Sequence, residues 1–281
     1  MTISNPMKIL MMAQEDLANH NFGVIGKCIY CGSEEELKTE HIVPYGLGGK
    51  SILKKASCEN CAKVTSQIEM DVLRVHFGNY RTSMDFPSRR KKEKSTTTPI
   101  TVETADGNLE EIQLNISESP NFLIIIEYDE PGIYTGRIDT GMRVTATRLI
   151  GNKEKFEKLM SDLSENNVKS IAISSTFTNS YARMIAKIAY CYAVGIYSLD
   201  NIEQNFVLPY IMDKNLSGLG RFVGCPKEAA ITSSGTGHSF RCKVEPEGLI
   251  RSRLKLFDYV DAPEYEIFVG TLKKEAIKNF M

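Results

Sequence analysis

Two turns of identical spacing, Cys28 with Cys31 and Cys58 with Cys61, constrain this chain more than any other feature of its sequence. Two cysteines three residues apart present both thiolates on one side of a turn. Two such turns close a tetrahedral four-sulfur site of the kind that suits zinc. The surrounding stretch, 22–61, is dense in glycine (Gly23, Gly26, Gly32, Gly46, Gly48, Gly49), and its apolar residues fall in short pieces. It has little core of its own and needs a staple. Four sulfurs on one ion leave no open coordination position, so a zinc here folds the chain and does not catalyse. The remaining cysteines, Cys191, Cys225 and Cys242, share no ligand spacing and read as buried small residues. An odd count of seven fits metal-bound thiolates in a reducing, cytoplasmic setting better than a disulfide framework.

At 281 residues the chain has room for one large domain or two modest ones. No run reaches the roughly eighteen apolar residues of a membrane span. The first twenty residues lack the apolar stretch and cleavage site of a secretory signal. Lys and Arg total 34 against 35 Asp and Glu, which excludes a polycation but not a local basic patch. The charge is in fact uneven. Residues 50–94 carry eleven Lys and Arg against five acids, whereas 101–281 carry twenty against twenty-four.

The pattern divides the chain into a helical lead-in (1–21), a glycine- and cysteine-rich unit (22–80), a basic linker (81–99) and a larger mixed α+β unit (100–281). Val64, Ile68, Val72 and Val75 predict a helix over 62–77. Beyond 100, strands are expected at 100–104, 111–116, 122–128, 136–140, 142–149, 239–245, 250–260 and 265–272. Asp106–Gly107 is a plausible hairpin turn. Helices are expected at 154–165 and 180–199, the second apolar nearly all round and therefore buried.

Between the cysteine turns stand Glu40 and His41, then Pro44, then Gly48 and Gly49. An acid–histidine pair, a proline and two glycines at these offsets, inside paired CxxC turns, resemble the HNH endonucleases over about residues 25–80. Residues 55–69 resemble a subset of stand-alone bacterial members. The resemblance implies a small zinc-stapled ββα-metal domain, followed here by the larger α+β domain. Hydrolysis of a phosphodiester needs an activated water on one side of phosphorus and positive charge on the other. An imidazole can take a proton near neutral pH, which makes His41 the general base. By resemblance Glu40 holds a divalent ion, Mg2+ or Mn2+. The alternative is a turn-capping His41 beside a surface acid.

The sequence departs from the family at two points. A second metal ligand, His or Asn, is usual directly after the last cysteine, where this chain has Ala62. Around a helix Glu69 lies only about 20° from Ala62, so Glu69 is the candidate replacement, with Ser66 on the same face. A solvated helix carboxylate is the competing reading, and Asn60 is a weaker substitute. His76, near the helix end, reads as a helix-terminal or core residue. The family's middle Asn is also missing, Lys50 and Ser51 standing there instead.

Lys50, Lys54, Lys55, Arg81, Arg89, Arg90, Lys91 and Lys92 are the candidate phosphate contacts, with a solvated tether as the alternative for the run at 89–92. The expected function is metal-dependent cleavage of nucleic acid, DNA before RNA, with restriction or phage defence suggested by analogy. Two alternatives stand beside it: a non-catalytic zinc module that binds nucleic acid, and a nuclease effector that needs a partner or ligand. Residues 100–281 are expected to recognise substrate, self-associate into a homo-oligomer or meet a regulatory protein. His238 lies in a Ser/Gly loop that serves a ligand or only a turn.

Overall fold

The computed structural model describes residues 21–88, 96–138, 141–172, 176–213, 216–229, 231 and 237–280. The lead-in up to residue 20 and the basic run Arg89, Arg90, Lys91 and Lys92 lie outside the described residues.

Glycine turns divide the N-terminal unit into three short strands, β1 (Asn21–Val24), β2 (Lys38–His41) and β3 (Ile52–Ser57). They form one sheet in the order β1-β3-β2, with β3 parallel to β1 and antiparallel to β2. Helix α1 (Glu59–Val75) leaves β3 at once, with Cys58 in extended backbone as its N-cap. Its buried stripe is Cys61, Thr65, Ile68 and Val72. Ile68 and Val72 match the expected stripe, while Val64 and Val75 are only half-buried. The stripe turns because Cys61, one of the paired cysteines, must face inward. A short helix α2 (Gly78–Ser83) extends the helical region past residue 80.

The expected hairpin forms from β4 (Thr97–Thr104) and β5 (Leu109–Asn115), turning through Gly107 at φ +81°. Strand β6 (Leu123–Tyr128) is followed by the single turn α3 (Gly132–Thr135) and by β7 (Val144–Ile150), which pairs antiparallel with β6. No strand forms over the described part of 136–140, because Gly136 adopts a left-handed cap that ends α3. Helix α4 (Lys153–Glu165) starts where the Asn152 side chain accepts the Lys155 N–H at 2.9 Å. Strand β8 (Val168–Ile171) joins β4.

Helix α5 (Thr176–Tyr197) then runs through the centre, as its apolar composition predicts, with Tyr181, Tyr190 and Tyr192 among the largest buried side chains. After it come β9 (Ile202–Asn205), α6 (Leu208–Met212), β10 (Val223–Gly224), β11 (His238–Val244), β12 (Leu249–Leu256), β13 (Tyr265–Leu272) and α7 (Lys274–Ile277). The last strands form an antiparallel sheet, β10-β13-β12-β11, with β9 also on β13. Helix α5 packs on β12 and β13 on one side and on α1 on the other. Apolar residues on both sides of residue 100 therefore share one core. Among the described residues no helix is long and apolar enough to cross a membrane.

The two adjacent glycines have separate tasks. Gly48, at φ +81°, caps the one-turn 3-10 helix Tyr45–Leu47 in the left-handed region. At Gly49 a Cβ would stand 2.1 Å from the Val43 carbonyl oxygen, which is backbone and cannot step aside. Gly49→Ala is therefore expected to cost at least about 2 kcal/mol, read as a fall in denaturation midpoint. An unchanged midpoint would show that the loop after β2 is not tightly packed.

Candidate metal centre and active site

The four sulfurs of Cys28, Cys31, Cys58 and Cys61 come together within 4.8 Å of one another. Sγ atoms of Cys31 and Cys58 are 3.6 Å apart. Sulfurs held at about 2.3 Å from a tetrahedral zinc are about 3.8 Å apart, so the cluster fits that ion. The first turn is closed by Gly32 N–H donating to the Cys28 carbonyl at 2.8 Å, and β3 anchors it through Ile29 N–H to the Ala56 carbonyl at 2.8 Å. The second turn opens α1, where the Cys61 backbone N–H bonds the Cys58 sulfur and brings that thiol down to about 7. Burial pushes the Cys61 thiol up. A divalent ion compensates the charge of several thiolates and so couples binding to folding. Helix α5 supports the assembly from behind. Tyr190 donates its hydroxyl proton to the Ile29 carbonyl, and the Tyr30 hydroxyl meets Cys191 Sγ at 3.3 Å.

The acid–histidine pair ends β2, and successive strand residues point to opposite faces. Glu40 is turned inward and is 6% exposed, whereas His41 is half-buried with its ring edge-on to Tyr45, centroids 5.8 Å apart. Tyr45 is exposed at the mouth of the loop. Inside, Glu40 meets a residue that sequence reasoning overlooked. Lys187 of α5, 1% exposed, places its ammonium 2.6 Å from Glu40 Oε1 and 2.9 Å from Glu69 Oε1. The same ammonium donates to the main-chain carbonyls of His41 and of Ile42, the latter at 3.3 Å.

Glu69 and Glu40 thus approach the same group, which is a lysine of the chain itself. Burial alone would lower the Lys187 pKa. The two carboxylates more than reverse that, and it stands above the ordinary lysine value. Burial raises the Glu40 carboxyl above its ordinary value despite the ammonium, which Glu69 shares. Two carboxylate and two carbonyl oxygens around one cation are also the donor set of a hard divalent ion. Chemically the residues fit such an ion; the position is held by Lys187.

A sequence signal for Lys187 existed: it is the one lysine of the apolar stretch 180–199, and a buried ammonium there needs oxygen acceptors.

The other candidates separate. Lys50, Lys54 and Lys55 are exposed. Arg81 points inward, its guanidinium donating to the carbonyls of Gly46 at 2.5 Å, Leu73 at 3.3 Å and Pro87 at 3.3 Å, so that it braces the glycine loop against the helices. Asn60 and Ser66 are exposed. His76, at the end of α1, is buried edge-on to Tyr181, centroids 5.1 Å apart. His238 starts β11. Its Nδ1 accepts the Phe257 N–H at 3.2 Å, so Nε2 carries the proton and donates to the Leu47 carbonyl at 2.9 Å. It ties the loop after β2 to the C-terminal sheet, and burial lowers its pKa below the ordinary histidine value.

The cysteine geometry sets a direct expectation. Purified protein should hold one zinc per chain by atomic absorption, and Cys58→Ser should lose it. A loss of about 4 kcal/mol, the scale of a forfeited metal site, lowers the melting temperature by roughly 10 °C. Full metal content with unchanged melting in that variant would contradict a four-sulfur site.

The HNH endonuclease family model matches residues 28–74. Comparison with curated proteins and with solved structures returned no match. The match spans both cysteine turns, the Glu40–His41 pair, the two glycines and most of α1. Residues 28–74 are an HNH-like domain with a four-cysteine cluster capable of binding metal, in the N-terminal part of a 281-residue chain.

Proposed function

We propose that the HNH-like domain hydrolyses phosphodiester bonds of nucleic acid, DNA being the substrate chosen by analogy with the commonest HNH target. The observation that carries this reading is the family match combined with His41 at the end of β2, half-buried beside the exposed Tyr45, next to an inward acid. His41 takes a proton from the attacking water, the role an imidazole performs best near neutral pH. Lys50, Lys54 and Lys55, exposed on and beside β3, supply sequence-blind attraction for the phosphate backbone. Arg81 contributes by holding the glycine loop.

Glu40 and Glu69, with the carbonyls of His41 and Ile42, are the residues that would hold Mg2+ or Mn2+. Such an ion supplies positive charge to phosphate and leaving oxygens. Zinc in the cysteine cluster remains structural. Restriction or phage defence suits a nuclease of this size by analogy alone.

A second reading, a nuclease effector released by a partner or ligand, is favoured by one specific observation. Lys187 fills the space between the carboxylates and is itself 1% exposed, with Glu40 buried beside it and Glu69 only partly open to solvent. On this reading α5 keeps the divalent site closed until it shifts.

Two experiments separate these possibilities. Plasmid cleavage should require Mg2+ or Mn2+ and should disappear in His41→Ala, which retains fold and zinc; full activity in that variant would remove His41 as the base. Lys187→Met leaves the buried Glu40 and the partly exposed Glu69 without their cation and should cost about 3–5 kcal/mol. Mn2+ should then raise the melting temperature of Lys187→Met but not that of the unaltered protein. Equal responses of both proteins would show that the lysine does not compete with a metal.

A further inference from the structure

We propose that the outer face of β11 and β12 is a binding site for a phosphate group, formed by Arg241, Lys243, Arg251 and Arg253. None of these residues lies in the HNH-like domain, residues 28–74.

Strand register brings the four together. Arg241 lies directly opposite Arg253, and Lys243 directly opposite Arg251. Alternation sends the intervening Cys242, Ser252 and Leu254 into the core. Two like-charged pairs facing each other across neighbouring strands repel, so the arrangement opposes folding unless anions meet it.

Carboxylates meet it in part, two at β13 and one just after β11, three acids against four cations. Glu266 of β13, 0% exposed, accepts from Arg253 Nε at 2.5 Å and from Arg251 at 3.3 Å, and its second oxygen accepts the Tyr134 hydroxyl at 2.6 Å. Glu264 accepts from Arg253 at 2.9 Å. Glu245 is paired with Arg251 at 2.6 Å and with Lys243 at 3.0 Å. These bonds fix the two guanidinium groups before any ligand arrives, which reduces the entropy lost on binding. The exposed groups that face the cavity beside them are Arg241 and Lys243.

The four cations line a cavity of about 160 Å³. It is roomy enough for a phosphate or pyrophosphate group but not for a duplex groove. Guanidinium forks match the geometry and charge of phosphate oxygens, and two of them held side by side with a lysine form a charge-assisted donor set. A planar carboxylate ligand would use only one fork. Phosphate is therefore the class of anion the cluster fits. It can arrive as a free phosphorylated molecule or as part of a nucleic-acid strand, and the second source alone rests on the proposed nuclease function.

The test uses the full chain and reads binding, so a protein that never cuts tests this site equally well. Inorganic pyrophosphate and ATP are titrated by calorimetry, and a fluorescent single-stranded oligonucleotide by anisotropy, against the unaltered protein and against Arg241→Ala/Lys243→Ala. Both substituted residues are exposed, and melting curves confirm that the variant folds. Arg251→Gln, which removes an inner guanidinium, serves as an independent second variant. Loss of charge-assisted contacts should weaken binding roughly tenfold or more. Weakened pyrophosphate and ATP binding identifies a free phosphorylated ligand. Weakened oligonucleotide binding alone, with a shallower salt dependence, identifies a strand backbone. If no probe binds, or if both folded variants bind every probe as tightly as the unaltered protein, the proposal is overturned.

Discussion

An ammonium buried between two carboxylates holds the halves of this molecule together. Lys187 comes from the middle of α5, a long and largely apolar helix, while Glu40 and Glu69 come from β2 and α1. Neither Lys187 nor Glu40 is stable alone, because an isolated buried charge is costly and removal of one partner strands the other, with the partly exposed Glu69 completing the set. The trio is therefore directional in a way that apolar packing is not. It sets how α1 lies along α5, and through the carbonyls of His41 and Ile42 it sets where β2 ends. His41 owes its place to this anchoring: the residue before it is pulled inward, so the imidazole is left on the opposite side, beside Tyr45.

The four-cysteine cluster solves a different problem. Strands of four to six residues broken by glycine turns bury too little to be stable. Joining the turn at Cys28–Cys31 to the start of α1 replaces missing core with coordination. The helix that packs on α5 is thus the helix whose first turn carries two of the sulfurs. Tyr190 and Tyr30 connect the first cysteine turn to α5 as well. Metal centre and candidate active site share this support, although they use separate atoms.

Much of this was legible in advance. The spacing of the cysteines, the Glu40–His41 pair and the two glycines are local patterns, and each reports a local geometry: a turn that aims two thiolates, a strand end, a left-handed cap, a close backbone approach. The hairpin at Gly107 and the buried α5 are likewise written in alternation and composition. The helical phase that put Glu69 on the side of Ala62 was also readable, since 100° per residue is a property of the backbone. What escaped were relations between distant segments. Arg81 looked like one more member of a basic stretch, yet its donors turn to three carbonyls inside the fold. His238 looked like a loop residue, and it clamps Leu47 across the molecule.

By itself, then, the amino-acid order determined the metal-binding turns, the HNH-like pattern and which helix is buried, because these depend on spacing along a backbone of known pitch. Tertiary structure alone decided what faces Glu40 and Glu69. The nearest cation in space is 118 residues from Glu69 in sequence, and no periodicity carries that information. It follows from how α5 is seated, and that depends on the combined burial of side chains drawn from nearly every element of the fold.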